Sequence, residues 1–252
     1  MTIRYEVNPP KVPKGKLLSK DELVMMLGEL KNRVAKISNN CDGIHITDSV
    51  LGTKRISPIT AGEIIRNNNS NLEVTVSLRV RDKNLDEIEK FVNDAIKLGI
   101  KGILIIKGDP SNENPKNSGL IPSQVVKHLK DLGFAEKIDL FLSLAAKPNF
   151  DKIQKKIDVK PKGFFTQVIA SIDQVTKIVD KLKLHNFKII PIVLFPSQKN
   201  LKSAQFLKLD WSNYEDNVLE FIKNIHNITG DVLITSPNDF NGVQMTLKKL
   251  VI

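Results

Sequence analysis

Cysteine is almost absent from this sequence: Cys41 stands alone among 252 residues. One thiol excludes an internal disulfide framework and a zinc site built from cysteines. No apolar run approaches the roughly 18 residues that a membrane-crossing helix needs. The opening MTIRYEVNPP lacks the apolar stretch of a secretory signal. The net charge of +10 comes without a long basic tail, zinc finger or aromatic RNA-binding motif. It therefore reads as a lysine-rich solvated surface, not a nucleic-acid interface. The four histidines, His45, His128, His185 and His226, are widely spaced. They offer no metal-ligand spacing and no partner for a Ser/His/Asp triad. These absences predict a soluble, cytoplasmic chain with no nucleic-acid, membrane or metal partner.

What is present is a regular alternation. Hydrophobic residues make up 41% of the chain, enough for a sizeable core. Short β-branched runs occur at 3–7, 43–47, 72–80, 102–108, 138–146, 163–170, 187–195 and 231–235. Helical patterns lie between them. Over 19–37, Leu23, Met26, Leu27, Leu30, Val34 and Ile37 form an amphipathic stripe, opened by a Ser19/Glu22 capping box. Over 84–100, Asn84 caps, Ile88, Phe91, Val92, Ala95 and Ile96 form the stripe, and Gly99 stops the helix. Further helices are read around 57–67, 121–133, 171–183, 213–225 and 240–250, with a short, weak one at 150–158. Eight strand–helix units in this length predict one α/β domain over 1–252, a (β/α)8 TIM barrel. A doubly wound open sheet is the alternative. The first strand carries no GxGxxG turn, which argues against a dinucleotide fold of that kind. No Pro/Gly/Ser-rich linker divides the chain. The polar insertion DPSNENPKNSGL (109–120) follows strand 4.

In a barrel, chemistry sits where strands end. Glu6 stands between Tyr5 and Val7. A carboxyl in that setting is either paired or functional, and burial would raise its pKa toward that of a proton donor. Asp109, between Gly108 and Pro110, suits a site residue or an Asx turn. Gln167 can donate and accept, as a flat heterocycle such as a pterin requires, or it can bond backbone. Other strand ends present Asp48, Arg79, Arg81, Asp82 and Lys147. Cations there suit a phosphate or pyrophosphate.

The strand-end motifs, taken in order, resemble one family. YEVNPPK (5–11), RVRDKN (79–84), LGIKGILIIKGDPS (98–111), SGLIPSQVVKHLKDLGF (118–134), GFFTQVIASIDQVTKIVD (163–180) and IIPIVLFPS (189–197) are similar to segments of methylenetetrahydrofolate reductases. The resemblance implies a (β/α)8 barrel that reduces a 5,10-methylene-tetrahydropterin to its 5-methyl form. It implies FAD as cofactor, NADH or NADPH as electron donor, and a place in one-carbon and methionine metabolism. By position Glu6 matches the family's general acid. Asp109 matches the aspartate near flavin and pterin, and Gln167 the glutamine on the pterin. Cofactor contacts would fall to Asp48, Ser77, Arg79, Arg81, Asp82 and Lys147. The sequence departs from the family in two places. Ser77 stands where a flavin-contacting histidine is usual, and AAKPNFD (145–151) replaces a tyrosine- and histidine-bearing loop. A flavin-free NAD(P)H-dependent variant and a non-catalytic pterin-binding or methyl-transfer subunit are the alternatives. A homo-oligomer, or a complex with another one-carbon enzyme, completes the expectation.

Overall fold

The computed structural model describes residues 2–13, 15, 17–68, 71–110 and 117–250, so the middle of the polar insertion (111–116) lies outside the described residues. Its strands are β1 (Thr2–Val7), β2 (Gly43–Ile46), β3 (Glu73–Arg79), β4 (Gly102–Ile106), β5 (Asp139–Leu144), β6 (Gly163–Val168), β7 (Lys188–Leu194) and β8 (Asp231–Thr235). Every pairing is parallel, and β8 returns to β1, closing the barrel in sequence order. The open-sheet alternative is thereby excluded.

The helices among the described residues are α1 (Lys20–Ala35), α2 (Pro58–Asn68), α3 (Leu85–Lys97), α4 (Pro122–Asp131), α5 (Gln154–Asp158), α6 (Ile172–Leu182), α7 (Leu201–Leu207), α8 (Val218–Thr229) and α9 (Phe240–Lys248). The expected Ser19/Glu22 capping box opens α1, and the expected cap Asn84 forms a second box with Glu87 at the start of α3. Each satisfies backbone donors that a helix start leaves orphaned. The expected helix at 213–225 starts later, at Val218, and α7 was not anticipated. None of the described helices is long and apolar enough to cross a membrane.

Two apolar layers result. The larger lies between strands and helices and takes outward-facing residues such as Ile44, Ile46, Val74, Val76, Ile103 and Ile105 with the buried faces of the helices other than α7. The smaller fills the barrel interior with Leu104, Phe141, Phe165, Ile190 and Leu233. Alternation along each strand separates the two sets.

The base of the interior is charged. Arg4 is 2% exposed and bonds Asp231 (2.9 Å) and Glu73 (2.7 Å). Lys188 reaches Asp231 at 2.8 Å. Gly43, Gly102 and Gly163 alternate with these side chains around the barrel. A Cβ on Gly43 would come within 3.0 Å of the Arg4 guanidinium, and one on Gly163 would overlap the Lys188 carbonyl. Above this base, strands β1–β3 present polar groups inward and β4–β8 mostly apolar ones. The C-terminal mouth is thus lined unevenly, and the candidate site lies on the apolar side.

Candidate functional site

A cleft of about 930 Å³ opens at the C-terminal mouth of the barrel. Its floor is Leu104, Phe165 and Ile192, the upper surface of the interior layer. Its walls come from Ala145–Lys147 after β5, from Thr166, Gln167 and Val168 of β6, and from α7 and the segment that follows it as far as Asp210. Glu6, Thr235 and Pro237 close the β1–β8 side. Such a volume, apolar with a few polar groups, is that of a small-molecule site. A smaller cavity of about 500 Å³ continues it past Lys147 and Gln174 toward Asp173 and Lys177.

Glu6 reaches the cleft because β1 alternates: Tyr5 and Val7 pack outward, so Arg4 and Glu6 face in. Its Oε1 accepts a 2.6 Å bond from the Thr235 hydroxyl. Removal from water pushes its pKa up, against the Thr235 bond and the nearby positive charge of Arg55. Among the described residues no cation lies within salt-bridge distance of Glu6. The ion-pair reading of this residue therefore gives way to a hydroxyl-bonded carboxyl whose charged form burial disfavours.

Gln167 reaches the same cleft through an irregularity. The β6–β7 register shifts between Phe165 and Val168. There the Ile192 N–H donates to the Thr166 hydroxyl (3.1 Å), which in turn donates to the Gln167 carbonyl (2.6 Å). A bulge of this kind re-aims the next side chain. Gln167 is exposed on the cleft wall, not buried against backbone. Lys147 lines both cavities. At the adjacent end of β5, the half-buried Lys156 ammonium donates to the Ser143 carbonyl at 2.6 Å, and burial lowers its pKa.

The remaining expected site residues gather elsewhere, at the ends of β2–β4. Asp48 accepts from the Ser49 and Arg79 N–H groups (2.6 and 3.2 Å). Arg79 is 4% exposed; its guanidinium bonds Asp82 at 2.8 Å and the Asp109 carbonyl at 3.4 Å. Lys83 adds a 3.6 Å contact to Asp82. Arg81 receives the Ser118 N–H on its carbonyl. Asp109 is exposed. None of these residues is among those lining the 930 Å³ cleft. Ser77 lies deeper still: its hydroxyl is 3.0 Å from Nε2 of His45 inside the barrel.

His45 itself carried no sequence assignment. It is 1% exposed, bonds Thr75 (2.9 Å) through Nδ1, and packs on Phe165 with ring centroids 4.9 Å apart. Burial, aided by the charge of Arg4, pushes its pKa down to about 3. The signal for it was available: a histidine on β2 faces two hydroxyls spaced i, i+2 on β3. Thr235, Arg55 and the α7 wall were also missed, because each reaches the site from a distant part of the chain. Cys41 is buried, and burial pushes its thiol up to about 12, which removes it as a nucleophile. Among the described residues no group of three or more His, Cys, Asp and Glu side chains could hold a metal ion.

The family model described as methylenetetrahydrofolate reductase matches residues 1–227. No curated protein sequence matches the chain. Among solved structures, a riboflavin lyase with modified FMN and riboflavin superposes with a TM-score of 0.65 at 7% identity, over 99% of this chain and 90% of that one. A GH99 endo-alpha-mannosidase from Bacteroides thetaiotaomicron superposes with a TM-score of 0.59 at 10% identity, over 94% and 85%. A protein from Aquifex aeolicus VF5 gives 0.56 at 11% identity, over 99% and 91%. At these identities the likeness is one of fold alone.

Proposed function

Because this chain belongs to the methylenetetrahydrofolate reductase family, we propose that it reduces a 5,10-methylene-tetrahydropterin to the 5-methyl form. The observation that carries the reading is Glu6, a carboxyl with a raised pKa on the wall of an apolar-floored cleft that Gln167 also lines. A raised pKa widens the pH range over which the carboxyl holds a proton to give. In this reading Glu6 protonates the bridge of the substrate, opening it to an iminium ion that then accepts hydride. The Gln167 amide, with both donors and an acceptor, orients the pterin ring. The apolar floor excludes water from the reacting carbon.

The cleft also suits a flavin. Leu104, Phe165 and Ile192 offer a floor for a flat ring, and Lys147 and Lys177 flank the continuation where a phosphate tail would need cations. Bound FAD would supply the hydride taken from NADH or NADPH. With Ser77 engaged by His45, contacts from β3 to such a ring would have to come from elsewhere on that strand.

The test is the visible spectrum of the purified protein followed by reduction assays. FAD that binds stoichiometrically, with turnover lost at least ~100-fold in Glu6→Gln while pterin binding persists, is the expected result. Activity should fall as pH rises through the raised pKa of Glu6, because only the protonated carboxyl donates. A Glu6→Gln variant with near-normal turnover would overturn the assignment of the acid. A colourless protein that still turns over with NAD(P)H would replace the flavin with direct hydride transfer. Pterin binding without any turnover would make the chain a pterin-carrying subunit.

A further inference from the structure

Thr235 closes β8 beside Glu6. The two strands pair Tyr5 with Ile234, so Glu6 and Thr235 stand side by side one step further on. Both line the 930 Å³ cleft, and Thr235 is 8% exposed. Its backbone is fixed from the other side, where the Phe195 N–H donates to the Thr235 carbonyl at 2.9 Å. A β-branched side chain on a fixed strand has few rotamers, so the direction of its hydroxyl is set.

That hydroxyl has a single hydrogen. It goes to Oε1 of Glu6 at 2.6 Å, with no second acceptor among the described residues. The oxygen that accepts this bond is the carbonyl oxygen of the protonated carboxyl, so the acidic proton belongs on Oε2. When that proton leaves, the bond to Oε1 becomes charge-assisted, roughly twice as strong as a neutral one. The hydroxyl thus favours the state of Glu6 that follows donation, while burial opposes it.

The other charged and titratable groups around Glu6 hold one state near neutral pH. Arg55 adds a positive charge that acts in the same direction as the hydroxyl. His45, opposite Glu6 on β2, is neutral, its pKa pushed down to about 3. Tyr5, next along β1, keeps its proton because burial pushes its pKa up. Arg4, the next inward residue, is paired with Asp231 and Glu73.

We propose that Thr235 is a positioning residue for the Glu6 acid: its hydroxyl holds Oε1, reserves the proton for Oε2 and stabilises the carboxylate left behind. The proposal rests on the reading of Glu6 as proton donor.

Carbon NMR of protein labelled at its glutamate carboxyls tests this without substrate, with Glu6→Gln identifying the Glu6 signal. Thr235→Val should raise the Glu6 pKa by about one pH unit, the scale of one lost hydrogen bond. Thr235→Ala should raise it alike, and Thr235→Ser, which keeps the hydroxyl, should leave it close to native. In the reduction assay, the falling limb of the kcat–pH profile should move up by the same interval in Thr235→Val and Thr235→Ala. Their kcat on the plateau should drop about tenfold, and Thr235→Ser should restore both readouts. A Glu6 pKa that stays put in Thr235→Val would overturn the positioning role and leave the acid reading intact. So would losses that follow side-chain size, with Thr235→Ser as damaged as Thr235→Ala, because packing and not the hydroxyl would then account for them. A Glu6 pKa that moves while kcat and its pH profile do not would overturn the acid reading, and the proposal with it.

Discussion

His45 shows how a single side chain can set the acid tolerance of a barrel. In the unfolded chain its pKa is ordinary, about 6.5; in the fold it is pushed down to about 3. Between those values the unfolded state takes up a proton that the folded state refuses. Stability from this residue is therefore complete above about pH 6.5 and is lost as pH falls toward 3, by on the order of a few kcal/mol. Chemical denaturation at a series of pH values should show that slope, and His45→Gln should flatten it. An identical slope in the variant would assign the acid sensitivity to other groups. At this scale the sequence was partly legible. A carboxyl between Tyr5 and Val7 is conspicuous, so Glu6 could be singled out. Its hydroxyl partner Thr235 lies 229 positions away, and no local pattern announces it. Asp109, singled out for its Gly–Pro setting, lies among the groups around Arg79 and not on the cleft wall, because the β4 turn directs its carbonyl toward that arginine.

Elements were more legible than their irregularities. Capping boxes, the Gly99 stop and the eight strands all follow from local chemistry, and the folded chain has them. Helix α7 did not follow. Its sequence LKSAQFL has no N-cap hydrogen bond, and it leaves Phe206 65% and Leu207 47% exposed. Its apolar residues serve the cleft and not the core, so the periodicity that marks a packed helix is missing. The β6 bulge was hidden as well, since it depends on a threonine hydroxyl replacing a backbone acceptor. The turn after β4 carries a sharper test. Gly108 has φ of +86°, and a Cβ there would overlap the Arg79 side chain. Gly108→Ala should cost roughly 1–3 kcal/mol. Adding Arg79→Ala should restore the part due to the collision, a non-additivity that a double-mutant cycle of urea midpoints measures. Purely additive losses would mean that backbone strain alone accounts for the glycine.

For the molecule as a whole, the charged base is the fastening. Arg4, Glu73, Lys188 and Asp231 tie β1, β3, β7 and β8 together where the barrel closes. Asp231 is fully buried, so Asp231→Asn leaves Arg4 inside without its main counter-charge. The expected loss is about 3–5 kcal/mol, read as a lowered thermal midpoint and a smaller denaturant midpoint at unchanged slope. A loss below about 1 kcal/mol would show that Glu73 alone suffices for Arg4. The same closure has a consequence for how the chain is made. The strand that leaves the ribosome first pairs with the one made last, 227 positions on from Arg4 to Asp231. At roughly 5–20 residues per second, β1 waits on the order of ten seconds or more with one edge bare. Until β8 is made, Arg4 lacks the Asp231 carboxylate that pairs with it in the closed barrel, and that is when a holding chaperone would matter most.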